Sequence, residues 1–331
     1  MTLSSKPSIP VRAPLASETV TAKKKYASQK KLAIGRLRTE QGNRQSANLD
    51  SKSALQIAEI MNEEDATVAT TVRSALPQIA QAIDAIASAL REGGRLIYVG
   101  AGTSGRIAAL DASECPPTFN TLPDRVQYVM AGGPKALVAA VEANEDSREL
   151  GAADIAKKRP FRKDVVVGIA ASGRTPYTIA ALDYARKRGA RTVAIVCNAN
   201  SELGRAAEIE IVAEVGPEVL SGSTRMKAGT AQKMICNMLT TGAMARLGYV
   251  YGNLMVNVHP KNEKLLERAI GILMKTADVD RNTAHAALKN SGESVPVALV
   301  MLKRHISRAE AEKKLQSARG NVRHAIDASN T

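Results

Sequence analysis

Arg95-Leu96-Ile97-Tyr98-Val99-Gly100-Ala101-Gly102-Thr103-Ser104-Gly105-Arg106 is the stretch that decides the fold of this chain. An unbroken apolar run predicts a strand buried on both faces, and its abrupt change to Gly, Thr and Ser predicts a turn into a helix from about residue 104. The pattern returns at Val165-Val166-Val167-Gly168-Ile169-Ala170-Ala171-Ser172-Gly173-Arg174-Thr175-Pro176, where the proline suits a helix start. Backbone N–H groups at such a start, beside short hydroxyls, form an anion site that needs no metal.

Working outward, strands are expected at 95–100, 126–131, 165–171, 192–197 and 208–213. Helices are expected from about 104, at 134–143 and at 176–188. This alternation predicts an α/β fold, a doubly wound parallel sheet whose right-handed crossovers bring the strand-end loops to one edge. Upstream, Leu55, Ala58, Ile60, Met61, Val68, Val72 and Leu76 recur at helical spacing, and Pro77 opens a second helix ending at Gly93-Gly94. Residues 221–248 read as one long helix. Its stripe of Ile235, Met238, Leu239, Gly242 and Ala245 fits either a dimer contact or an internal core contact. From about Val279 a small module of three helices is expected. The division is therefore a basic tail over 1–38, an α/β domain over 39–275 and a helical module over 276–331.

Of 331 residues, 44% are hydrophobic but only 3% aromatic, so aliphatic side chains must build the core. No apolar run approaches the ~20 residues of a membrane span, and no membrane partner is expected. Cys115, Cys197 and Cys236 are widely spaced, with no CxxC, which predicts a reducing cytoplasm and neither disulfides nor a cysteine metal site. The four histidines are scattered, so no metal and no cofactor are expected. The net charge of +14 is concentrated: residues 1–38 hold nine Lys or Arg and one Glu, a surplus of +8. With so few aromatics for base stacking, that surplus predicts a disordered, solubilising tail and no nucleic-acid partner.

Gly100, Gly102 and Gly105 satisfy G-x-G-x-x-G, which raises a dinucleotide site. Such a site needs an acid about 20 residues on, at the end of the second strand. Here that strand runs into Met130-Ala131-Gly132-Gly133, with Glu114 and Asp124 falling before it. The hydroxyls of Thr103 and Ser104 instead suit a phosphomonoester. A plain N-cap is the bland reading of either hydroxyl loop, but two loops on one sheet favour a ligand. Candidate contacts are Gly102, Thr103, Ser104, Gly105, Ser172, Gly173 and Thr175, with Arg174 and Lys227 as further cations. Glu114 and Glu145 are expected beside the first loop. Glu114 is expected just past a short helix and before a proline turn, where Pro116 and Pro117 stop the helix and fix the carboxylate's direction.

Several longer motifs now combine: Gly100-Ala-Gly-Thr-Ser-Gly-Arg106, Asp111-Ala-Ser-Glu-Cys-Pro-Pro117, Glu145-Asp-Ser147, Ala170-Ala-Ser-Gly-Arg-Thr-Pro176 and Ser223-Thr-Arg-Met-Lys-Ala-Gly-Thr-Ala-Gln-Lys233. Over roughly 39–266 the chain resembles the N-acetylmuramic acid 6-phosphate etherases of the sugar-isomerase (SIS) domain family. The resemblance implies cleavage of the D-lactyl ether of a phosphorylated amino sugar, in amino-sugar recycling. It implies Glu114 as the acid at the departing lactate, Glu145 as the base at C2, and a homodimer. The residue that opens the sugar ring is not named by any motif, and His259 is a candidate. Two other readings need the same anion loops. A non-enzymatic sugar-phosphate sensor, similar to glucokinase regulatory protein, does not need both acids, and the intact Ser113-Glu114-Cys115 and Glu145-Asp146 motifs argue against it. An aldose–ketose isomerase needs a base at C2 but no acid for a leaving group.

Overall fold

The computed structural model describes residues 37–139, 144–260 and 262–328. Of the basic tail, residues 1–36 lie outside them. Leu37 and Thr39, among the first described residues, are buried.

Helices α1 (Ala54–Arg73) and α2 (Leu76–Arg91) precede β1 (Leu96–Gly100), α3 (Gly102–Phe119) and β2 (Val126–Met130). After α4 (Arg148–Lys157) come β3 (Val165–Ala170), α5 (Pro176–Lys187), β4 (Arg191–Val196), α6 (Glu202–Ala206) and β5 (Ile209–Val212). The five strands form one parallel sheet in the order β2-β1-β3-β4-β5. Alternate strand residues feed two cores. Leu96, Tyr98, Val165, Val167 and Ile169 pack under α1, α2, α3 and the long α7 (Lys227–Leu247). Ile97, Val99, Val166, Ala194 and Val196 pack against α4, α5 and α6. A third core, from Val256 to Ala325, joins α8 (Glu263–Ala277), α9 (Arg281–Asn290), α10 (Val295–Arg304), α11 (Arg308–Ser317) and α12 (Val322–Asp327). Among the described residues no helix is long and apolar enough to cross a membrane.

The elements differ from expectation in five places. Pro116 and Pro117 lie inside α3 and do not stop it. Cys115 and Phe119 are buried against the sheet and hold the last turn in place, and Asn120 ends the helix in the left-handed region. The helix expected at 134–143 is, in its described part, a 3-10 turn over Gly133–Leu137, following Gly132 and Gly133 at positive φ; residues 140–143 lie outside the description. Helix α4 has too few apolar residues to show a period, and Ser147 starts it by accepting from the Leu150 N–H. The long helix begins at Lys227 rather than at residue 221. Buried Glu218 reaches from upstream to accept the N–H groups of Lys227 and Ala228, both at 2.9 Å, which fixes the helix start there. Beyond Val279 there are four helices rather than three.

The stripe on α7 splits. Ile235 and Leu239 point into the core, while Gly242 is so close to α2 that a Cβ would lie 2.7 Å from Ile83 Cδ1. At Gly242 the small residue serves an internal contact.

Candidate active site

In this strand order β1 and β3 are neighbours, yet α3 follows β1 on one face and α5 follows β3 on the other. The crevice between their carboxyl ends is where open α/β sheets hold ligands. Both hydroxyl loops stand there. Ala101 at the start of α3 and Thr175 at the start of α5 make no side-chain cap. Elsewhere Ser53, Ser147, Ser201 and Asn262 do cap their helices, so the two loops are not ordinary N-caps. At the start of α3 the first N–H groups are left for another acceptor, whereas at the start of α5 Pro176 has no N–H and Tyr177 donates its own to the Glu145 carbonyl.

Close approach explains the glycines. Gly102 has φ +52°, and Gly173 has φ +64° with Ser201 Cβ only 2.3 Å from where its own Cβ would stand. A Cβ on Gly105 would come within 2.7 Å of Met130 Cγ, so this residue lets α3 start hard against the sheet. Ser172 Oγ accepts the Arg174 N–H at 3.2 Å, and the Arg174 side chain is exposed.

Glu145 ties the two junctions together. Its carbonyl accepts the Tyr177 N–H at 3.1 Å, at the start of α5. Its Oε1 lies 3.0 Å from the position a Cβ would take on Gly102, at the start of α3. Glu114 is elsewhere. It sits exposed on α3, twelve residues past Gly102, which is about 18 Å along a helix rising ~1.5 Å per residue. Within one chain, then, Glu145 is beside the first loop and Glu114 is not.

Three further residues shape the crevice without having been singled out as site candidates in the sequence. Gln232, almost wholly buried on α7, accepts from the Ser104 hydroxyl at 2.9 Å while its own Nε2 has no protein partner. Asp111, one turn before Glu114, accepts from Tyr98 Oη at 2.9 Å and Thr240 Oγ1 at 3.3 Å. Burial pushes its carboxyl up to about 6, against the opposing pull of those hydrogen bonds and of Lys233. Asn198 donates to the Ala171 carbonyl at 3.0 Å and to Thr39 Oγ1 at 3.4 Å, so the 37–41 segment braces the second loop from behind. Long-range partners leave no periodicity, but Gln232 stood in a quoted motif and an uncharged amide inside a helix start was its only signal.

Lys227 is not a free cation. It is buried and pairs with Glu64 of α1. His259 is exposed, two residues beyond Asn257, whose Nδ2 donates to the Phe119 carbonyl at 2.6 Å. It therefore stands nearer the Glu114 end of α3 than the Gly102 end. A cavity of about 770 Å³ runs along the β2 edge, lined by Pro123, Gln127, Met130 and Lys157 among others, but holds none of the candidate residues.

Comparison with known proteins bears on these loops. Residues 78–186 match the glucokinase regulatory protein N-terminal SIS domain, and residues 151–242 match the SIS domain. Over 293 residues the chain is 49% identical to N-acetylmuramic acid 6-phosphate etherase of Klebsiella aerogenes, covering 88% of this chain and 98% of that one. The enzyme of that name from Pasteurella multocida is 50% identical over 294 residues, covering 89% and 98%. That from Mycolicibacterium smegmatis is 48% identical over 295 residues, covering 89% and 99%.

Proposed function

The chain belongs to the N-acetylmuramic acid 6-phosphate etherase family, and from that premise we propose that it removes the D-lactyl ether of N-acetylmuramate 6-phosphate, a carbon–oxygen lyase reaction. The products are N-acetylglucosamine 6-phosphate and D-lactate. The observation that carries the reading is Glu145, whose carboxylate stands at the uncapped start of α3 while its backbone is fixed at the start of α5.

An alkyl ether is a poor leaving group, so the chemistry begins by acidifying a neighbouring C–H. Opening the sugar ring places an aldehyde at C1. Glu145 then takes the C2 proton, the C2–H electron pair forms the C2=C3 bond, and the C3–O bond breaks. The lactate oxygen keeps that bond's electron pair and takes a proton from Glu114. Water adds at C3 and C2 regains a proton. The two carboxyl groups must begin in opposite protonation states.

The phosphate is assigned to the N–H groups at the start of α3 and to the hydroxyls of Thr103, Ser104, Ser172 and Thr175. The glycines 102, 105 and 173 let backbone and ligand meet closely. Turning the Gln232 amide so that Nε2 donates to Ser104 Oγ gives its orphaned donor a partner. That frees the Ser104 hydroxyl proton for a phosphate oxygen. We place the enzyme in the cytoplasm, as a homodimer, with an α/β domain over 39–275 and a helical module over 276–331.

The test is D-lactate release from N-acetylmuramate 6-phosphate in labelled water. Lactate release is expected, with solvent hydrogen at C2 and labelled oxygen at C3 of the N-acetylglucosamine 6-phosphate product. Glu145→Gln should lose both lactate release and C2 exchange, whereas Glu114→Gln should lose lactate release but keep exchange. Saturable sugar-phosphate binding without lactate would replace this reading with a sensor.

A further inference from the structure

Tyr177, the second residue of α5, is wholly buried, and its backbone and hydroxyl all meet the segment over 145–154. Its N–H, surplus to the helix ladder, donates to the Glu145 carbonyl at 3.1 Å. Its carbonyl lies against α4: a Cβ on Gly151 would stand 2.1 Å from that oxygen, so only a glycine lets the two backbones touch. The ring continues along α4, and its hydroxyl donates to Asp154 Oδ2 at 2.9 Å, while Asp154 Oδ1 accepts from Lys157 at 2.7 Å. Gly151 and Asp154 are one turn apart, about 4.5 Å along the helix axis.

Helix α4 has little else to fix its register. Of its residues only Gly151 and Ile155 are buried, so no apolar stripe keys it in place. Arg148 pairs with Asp183 of α5 and Glu202 of α6, but all three side chains are about half exposed, and such ion pairs hold weakly. The grip of Tyr177 at two points a turn apart is what stops α4 from sliding. Because Ser147 starts α4 two residues after Glu145, a slide would carry Glu145 with it, and Oε1 already stands 3.0 Å from the Gly102 Cβ position.

Resting on the base role given to Glu145 above, we propose that Tyr177 is a positioning residue of the reaction, whose hydroxyl, held by Asp154, sets the axial register of α4 and so the place of the Glu145 carboxylate at the start of α3. Burial, and then the hydrogen bond to Asp154, push the Tyr177 phenol above its ordinary value. It stays a donor at any working pH and acts by position rather than by proton transfer.

Tyr177→Phe keeps the ring and removes only the hydroxyl. We expect kcat for lactate release, and C2 exchange with it, to fall about tenfold or more, with KM within about twofold, as a misplaced catalytic group requires. Asp154→Asn keeps an oxygen for the hydroxyl and should retain most of the rate, whereas Asp154→Ala should fall as Tyr177→Phe does. The double variant Tyr177→Phe, Asp154→Ala should be no slower than either single variant, because both remove one contact. Arg148→Ala, on the same helix, should leave kcat unchanged. Amide hydrogen exchange without substrate reads the register independently of the chemistry. The residue-177 N–H and the backbone over 145–150 should exchange about tenfold faster in Tyr177→Phe, with β1 and β3 unmoved. Wild-type kcat together with wild-type exchange would overturn the inference, as would losses that add in the double variant. Faster exchange with an unchanged kcat would overturn instead the role of Glu145 on which it rests.

Discussion

Gly102 governs where the Glu145 carboxylate can stand, because a methyl group there would sit 3.0 Å from Oε1 on a backbone at φ +52°. Gly102→Ala should therefore lower kcat for lactate release at least tenfold, while the left-handed residue costs only ~1–2 kcal/mol of stability. An unchanged kcat in a folded variant would mean that Glu145 acts from another position. Gln232 offers a complementary test, since under the proposed phosphate assignment it would act on the phosphate only through Ser104. Gln232→Leu keeps the volume and removes the amide. We expect KM to rise about tenfold, the equivalent of ~1.4 kcal/mol in binding, with kcat altered much less. An unmoved KM would leave Gln232 a packing residue. The cysteines stay outside this chemistry: burial pushes the Cys115 and Cys197 thiols up to about 12, too high for a thiolate nucleophile.

Between elements, Asp111 joins three of them, holding α3 to Tyr98 of β1 and to Thr240 of α7. Its folded value of about 6 lies above the usual carboxylate range. Between roughly pH 4 and pH 6 the folded protein keeps a proton that the unfolded chain has lost. This group's contribution is therefore full below pH 4 and declines as pH rises to 6, by up to about 3 kcal/mol. Asp111→Asn should abolish that decline, so the gap in unfolding free energy between variant and wild type should shift in the variant's favour from pH 4.5 to pH 7. Parallel pH profiles would refute the assignment. The two prolines of α3 and the late start of α7 make the same point at this scale. Local rules placed a stop at Pro116 and a start at Ser221, and burial of Phe119 and the reach of Glu218 overrode both.

For the whole molecule, the first described residues are tied to the body through Thr39, which meets Asn198 and the Gly222 N–H. A chain beginning at Leu37 should release lactate at the full wild-type rate. One beginning at residue 42 loses the Thr39 contact with Asn198 and the Thr39 carbonyl that accepts the Gly222 N–H, and should lose activity or thermal stability. Equal activity in both would remove the brace behind the second loop. The sequence by itself determined the five parallel strands, the two hydroxyl loops at one sheet edge and the family, because these are written in short-range apolar runs and contiguous motifs. It could not determine the partners of Ser104, Asp111 and Lys227, since those contacts join residues more than a hundred positions apart or on different faces of unrelated helices. Nor could it measure the span between Glu114 and Glu145. A helix that never breaks turns twelve residues into about 18 Å, and only the tertiary structure shows that α3 stays unbroken through its prolines.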